Sequence, residues 1–194
     1  MKLQFHIGKY VKDLLTIRTI IIFLFLNLLS ISFIFCQSDE YTMKAVALEK
    51  ISRFIEWPET NSVNDSSKPF IIKVIGENPF GTILENIYSN HKIKNKPIKI
   101  EYISSTGEIK DCHLLFISNS KRSELGEITV AIKNKPILTI SETKGFAEEG
   151  VHVNLLIINN KLRFEINETA IKTSSISVSY LLIKVAKIIG STGD

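Results

Sequence analysis

PILTISETKGFAEEGVHVNLLIINNKLRFEIN, residues 136–167, carries the reading of the fold. Pro136 to Ile140 is a short apolar run of strand type. It is followed by the polar segment Ser141-Glu142-Thr143-Lys144 and by Gly145, a residue free to take the positive φ that a chain reversal needs. Val151 to Ile158 and Lys161 to Ile166 are rich in β-branched and large apolar side chains and meet at Asn159-Asn160. Asn tolerates the left-handed backbone of a tight turn, so the two runs are expected to pair as an antiparallel hairpin.

Upstream, Tyr41 to Trp57 places Met43, Val46, Ala47, Ile51, Phe54 and Ile55 at three- and four-residue steps, an amphipathic helix ended by Pro58. Glu59 to Lys68, rich in Asn, Ser and Asp, reads as a loop. Phe70 to Ile75 then reads as a strand, Phe80 to Asn90 as a helix, Pro97 to Ile103 as a strand and Cys112 to Ile117 as a buried strand. Arg122 to Lys133 is a predicted helix. At the C-terminal end, Ser177 to Ile189 puts Val178, Leu181, Leu182, Val185, Ile188 and Ile189 on one helical stripe that should dock on the sheet. Strand alternating with helix argues a single α/β domain: a mixed, mostly parallel sheet flanked by helices, with the late hairpin antiparallel at one edge.

The first 36 residues have the organisation of an export signal. Lys2, Lys9, Lys12 and Arg18 precede an apolar run from Ile20 to Phe35. Cleavage after Cys36 would leave a domain of residues 37–194. The alternatives are a retained anchor, since the run nears the length that spans about 30 Å of hydrocarbon, and acylation of Cys36, disfavoured by the bulk of Phe35. Without the leader the chain carries 20 Lys and Arg against 19 Asp and Glu, a net charge of +1. The basicity of the whole chain therefore belongs to the leader, and nucleic acid loses its compositional support as a partner. Lys92, Lys94, Lys96 and Lys99 read as a solvated turn and strand face. Cys112 alone remains after cleavage, so no intramolecular disulfide is expected.

Chemistry-bearing patterns are sparse. Cys112 and His113 are adjacent, and adjacent residues of a strand face opposite ways, which excludes a nucleophile–base pair. His91 and His152 lack a partner at ligand spacing, so no metal site and no cofactor are expected. Ile75-Gly76 before Pro79-Phe80-Gly81 reads as a tight strand-to-helix turn without the glycine pattern of a phosphate loop. Glu142 and Glu165, at strand ends, are the carboxylates expected to contact a partner or ligand, with nothing to bring them together as an acid–base pair. Phe146 is the aromatic expected on a partner surface. Asn167 is expected to cap a helix starting at Glu168.

Taken in order, Phe54-Ile55-Glu56-Trp57-Pro58, Val74-Ile75-Gly76, Pro79-Phe80-Gly81, Cys112-His113-Leu114-Leu115-Phe116-Ile117-Ser118, Leu138-Thr139-Ile140-Ser141-Glu142, Gly145-Phe146-Ala147, Arg163-Phe164-Glu165-Ile166-Asn167 and Ser179-Tyr180-Leu181-Leu182 resemble the YfiR-like family of small periplasmic regulators. The resemblance covers nearly all of residues 37–194. It implies a non-enzymatic repressor that binds the periplasmic sensor part of an inner-membrane signalling protein. That partner is a diguanylate cyclase in some members, with consequences for cyclic di-GMP, biofilm and motility, and a sensor histidine kinase in others. Members with cysteine pairs tie stability to redox state, a pattern from which this chain departs. A homodimer is compatible with the hairpin and low charge. The alternative is a periplasmic small-molecule-binding protein with its cleft at the carboxyl ends of the strands, near Gly76, Ser118 and Ser141.

Overall fold

The computed structural model describes residues 18–20, 23 and 40–190. The chain divides into two units, 1–40 and 41–194. In the first, residues 18–20 and 23 are helical; the proposed cleavage point after Cys36 lies outside the described residues. Among the described residues no helix is long and apolar enough to cross a membrane.

The second unit opens with helix α1, residues 41–53. It continues through β1 (Ile55–Glu56), β2 (Phe70–Ile75), α2 (Ile83–Tyr88), β3 (Lys92–Ile93), β4 (Lys96–Ile103), β5 (Leu114–Ile117), α3 (Leu125–Ile132), β6 (Leu138–Ser141), β7 (Val153–Ile158), β8 (Lys161–Asn167), α4 (Glu168–Lys172), β9 (Ser177–Val178), α5 (Tyr180–Ile183) and β10 (Lys187–Ile189). Eight strands form one sheet in the order β10-β8-β7-β6-β5-β2-β4-β3. Strands β4, β2, β5, β6 and β7 are parallel neighbours. The hairpin β7–β8 is antiparallel, and β10 runs parallel to β8 at the edge. The mixed, mostly parallel α/β sheet with a late antiparallel hairpin is thus the observed architecture.

Strand periodicity divides the core in two, because successive side chains leave opposite faces of the pleat. Phe70, Ile72, Leu114, Phe116 and Ile140 pack toward Ala45, Leu48 and Ile51 of α1 and Leu84 of α2. Ile75, Leu115 and Ile117 pack toward Leu125 and Ile128 of α3 and toward Phe146 and Val151 of the β6–β7 connection. Buried on both faces, the central strands consist of nearly unbroken apolar runs. Tyr88 of α2 donates its hydroxyl to the carbonyl of Ala45 and so ties α2 to α1. The hairpin turn is as expected: Asn159 and Asn160 take φ of 51° and 57°. A second turn of this kind, at Lys94 and Asn95 with φ of 51° and 63°, folds β3 against β4. Of the lysine cluster, Lys92, Lys96 and Lys99 therefore lie in strands and Lys94 in the turn, and Lys96 is buried rather than solvated.

Two predicted helices are corrected. The first ends at residue 53 rather than Trp57, because Ile55 and Glu56 pair with Val178 and Ser177 as a small antiparallel ladder. The expected helix from Ser177 to Ile189 survives only as the single turn α5, capped by Ser179, between strands β9 and β10. Its β-branched residues Val178, Ile183, Val185, Ile188 and Ile189 fit the pleat of a sheet edge better than a helix. The apolar stripe is broken accordingly. Leu182 is buried, whereas Leu181 and Val185 are 64% and 68% exposed.

Candidate functional site

The sequence-selected polar residues lie around the carboxyl ends of the strands, each engaged by a neighbouring element. Glu142, just after β6, accepts from Tyr41 Oη at 3.0 Å and from the ammonium of Lys44, both on α1. Its side chain is 12% exposed and that of Lys44 6%. This buried charge pair anchors the start of α1 to the end of β6. Glu165 on β8 accepts from Asn154 Nδ2 at 3.4 Å and from Lys187 Nζ at 2.8 Å. The register explains why: Ser141 faces Asn154, Asn154 faces Glu165, and Glu165 faces Lys187 across four strands. Sequence separates these residues widely; sheet pairing alone makes them a polar ladder, buried from Ser141 to Glu165 and exposed at Lys187. The ammonium of Lys187, hydrogen-bonded to that carboxylate, has its pKa raised.

Phe146 has no exposed surface. It sits in the second core layer with the guanidinium of Arg122 at 4.9 Å from its ring centre. The positive φ of Gly145, 93°, and Gly150, 107°, folds the connection inward and drives this aromatic into the core. It offers no side-chain surface to a partner in this conformation. Gly76, Ser118 and Ser141 are likewise engaged by neighbouring residues. Ser120 Oγ and Lys121 Cγ lie against Gly76, Ser118 caps the following turn, and Ser141 Oγ donates to the carbonyl of Ile117 at 2.9 Å.

Cys112 and His113 do face opposite layers. Cys112 belongs to the core layer of α3, and burial pushes its thiol up to about 12. His113 stacks on Phe70, with ring centres 5.0 Å apart. Its Nδ1 accepts from the Ile71 N–H at 2.9 Å, and Nε2 lies 2.8 Å from Ser62 Oγ. His152 accepts from the Thr139 N–H at 3.1 Å through Nδ1. Desolvation lowers both imidazoles to about 4, which suits their role as neutral acceptors. Among the described residues no group of three His, Cys, Asp or Glu side chains is arranged to hold a metal.

Asn167 does cap α4, accepting from the Ala170 N–H at 2.7 Å, and its amide also donates to the carbonyl of Ala147 at 2.6 Å. Replacing it with Ala removes a cap and strands a buried carbonyl, an expected loss of about 2 kcal/mol. Urea unfolding of Asn167→Ala against the parent chain checks this.

An open apolar surface lies elsewhere, in a groove of about 410 Å³. Met43, Val46 and Phe54 of α1 form one wall, Leu162 and Phe164 of β8 the floor, and Leu182 and Val185 the other wall. Among the described residues Lys50 is the only charged one lining it. Beside the floor, β10 pairs only with residues 165–167 of β8. Among the described residues no strand pairs with the outer edge of β8 from Lys161 to Phe164. Sequence reading assigned these side chains to a helix face and a hairpin. An available signal was a helix stripe too wide for one sheet to cover, with Met43 37% exposed.

These features define a mixed α/β domain with polar ties between its elements and an apolar groove at one sheet edge. The chain belongs to the YfiR/HmsC-like family, whose model matches residues 41–187. That family comprises regulatory, non-catalytic proteins of the periplasm that act on membrane signalling. No curated protein matches the chain.

Proposed function

We propose that the protein is an exported repressor, residues 1–36 being its signal peptide. It binds the periplasmic sensor part of an inner-membrane signalling protein, a diguanylate cyclase or a histidine kinase, and does so without chemistry of its own. The observation that supports this reading most is the apolar groove. An open apolar surface beside an unpaired strand edge is the kind of surface that marks a protein interface. Repression then needs only differential affinity. A regulator that binds the inactive conformation of its partner more tightly shifts the population toward it, and release restores output. Glu142 and Glu165 serve this surface indirectly, by fixing α1, which forms one wall, and β10, which lies beside the floor; Phe146 packs in the opposite core layer.

The test is crosslinking in intact cells of a C-terminally tagged chain, followed by identification of the membrane protein retained. Met43→Asp and Val185→Asp put charge into the groove at positions that carry little of the core. Each should lower recovery of a cyclase or kinase at least tenfold while the melting temperature stays within about 2 °C. Undiminished recovery with both variants would remove the groove from the interface. Recovery of the tagged chain alone, with export intact, would reject the regulator reading.

A further inference from the structure

Where β10 does not reach, from Lys161 to Phe164, the outer edge of β8 is left open beside the apolar groove. The hairpin register decides which backbone groups it presents. Asn167 donates its N–H to the carbonyl of His152 at 2.9 Å, so the odd-numbered residues of β8 aim their amides at β7, and Leu162 and Phe164 aim theirs outward. Among the described residues the N–H groups of Leu162 and Phe164 and the carbonyl of Leu162 have no hydrogen-bond partner. The half-buried side chains of these two residues form the groove floor. Lys161 and Arg163 alternate with them, so they leave the other face of the sheet, and both are exposed. Opposite them on β7 stand Ile158 and Leu156, which offer no charge. Among the described residues neither cation has an ion pair.

An open edge of this kind is a template for one more strand. A second copy of the chain fits it poorly. Antiparallel pairing of β8 with β8 through the outward groups would set Lys161 and Arg163 of one chain against the same cations of the other, and like charges directly opposite are destabilising. We propose that the edge takes an extended segment of a partner protein in which acidic residues alternate with apolar ones, added as a strand beside β8. Its backbone pairs with the free N–H and carbonyl of Leu162. Its apolar side chains enter the groove against Met43, Phe54 and Val185, and its carboxylates lie beside Lys161 and Arg163 on the opposite face. The period of two in β8 itself selects this pattern, since a one-residue slip would put carboxylates into the groove. The inference rests on the groove being the partner interface, and it names the chemistry of the segment bound there.

The probe is a blocked, dye-labelled peptide alternating glutamate with valine, titrated into the purified protein at low salt and followed by fluorescence anisotropy. A peptide alternating glutamine with valine is the control. The expected result is saturable binding of the acidic peptide. Affinity should be about tenfold weaker for the glutamine peptide, and for protein carrying both Lys161→Glu and Arg163→Glu, as the loss of two cross-strand charge pairs would give. Amide hydrogen exchange at Leu162 should slow in the bound state, which attraction by charge alone would not produce. Equal affinity for the two peptides would overturn the proposal, as would unchanged exchange at Leu162 with peptide bound. Absence of binding would also overturn it and leave the two cations as guards of the edge against self-pairing. A parent chain that sediments as a dimer, with Leu162 already protected, would give the edge to a second copy instead. The groove itself is tested separately in cells: partner recovery lost with Met43→Asp but kept with Lys161→Glu and Arg163→Glu together would retain the groove and reject the acidic strand.

Discussion

Lowering the pH from 7 to 4 should remove roughly 5 kcal/mol of folding stability, most of it through two imidazoles. His113 and His152 are held to about 4 in the folded chain, against about 6.5 when unfolded. Above pH 6.5 both states are neutral and the full stability is present. As the pH falls through that value the unfolded chain takes up protons that the folded chain refuses, so stability declines until about pH 4. The contribution of His152, deep beneath α4, is roughly 3 kcal/mol. That of His113 is about 2 kcal/mol after allowance for screening at its less enclosed site. The physical cause is the same in both: burial desolvates the ring and disfavours the imidazolium, and Nδ1 accepts a backbone N–H, which suits the neutral form. Glu101, whose pKa is lowered by hydrogen bonds from Lys73 and Lys99, adds a loss of the same sign as it is protonated at still lower pH. Urea midpoints at pH 7, 5.5 and 4 test this directly. A midpoint constant across that range would mean that neither imidazole is bound as described.

Glu142→Ala should cost about 3 kcal/mol, a large effect for a residue so near the surface. The substitution removes the carboxylate facing a buried ammonium, and breaking a buried pair from one side is more damaging than replacing both partners. It also removes the acceptor for Tyr41 Oη. Glu142→Gln keeps a carbonyl oxygen in place and should lose only about 1 kcal/mol. Equal losses for the two variants in urea unfolding would show that the charge contributes nothing. Since Glu142 secures α1, and α1 forms a wall of the apolar groove, partner recovery with Glu142→Ala should fall only as far as the folded fraction falls. A larger fall would instead give this carboxylate a direct place in the interface.

The parts of the fold legible in the chain are those where local chemistry and long-range packing agree. Leu114 to Ile117 is apolar on both faces and Phe70 to Ile75 nearly so, interrupted at Lys73, and such runs have little alternative to a buried parallel sheet. Asn159-Asn160 carried its turn in its own backbone preference, and Asn167 carried its cap in a side chain that reaches its own helix. The segment from Ser177 to Ile189 shows the reverse. Its apolar spacing fits a helix, but two sheet edges, β1 and β8, were available to pair with it, and ladder hydrogen bonds with β-branched side chains outweighed the helical period. No window of sequence contains that competition.

The candidate site divides in the same way. Their place at strand ends marks Glu142 and Glu165 in the sequence as carboxylates for a partner or ligand, whereas the structure engages both inside the fold. That one would hold Tyr41 and Lys44, and the other Asn154 and Lys187, depends on residues as much as 101 positions away. Phe146 was selected as a surface aromatic because charged residues follow it, and tertiary structure buried it through two glycines with positive φ. The sequence by itself determined the sheet class, the hairpin, the cap and the family, because these rest on short-range periodicity, turn chemistry and motif order. Tertiary structure alone decided the groove and the polar ladder. Each is made by side chains from separate elements, and only the register of the sheet and the packing of α1 bring them to the same place.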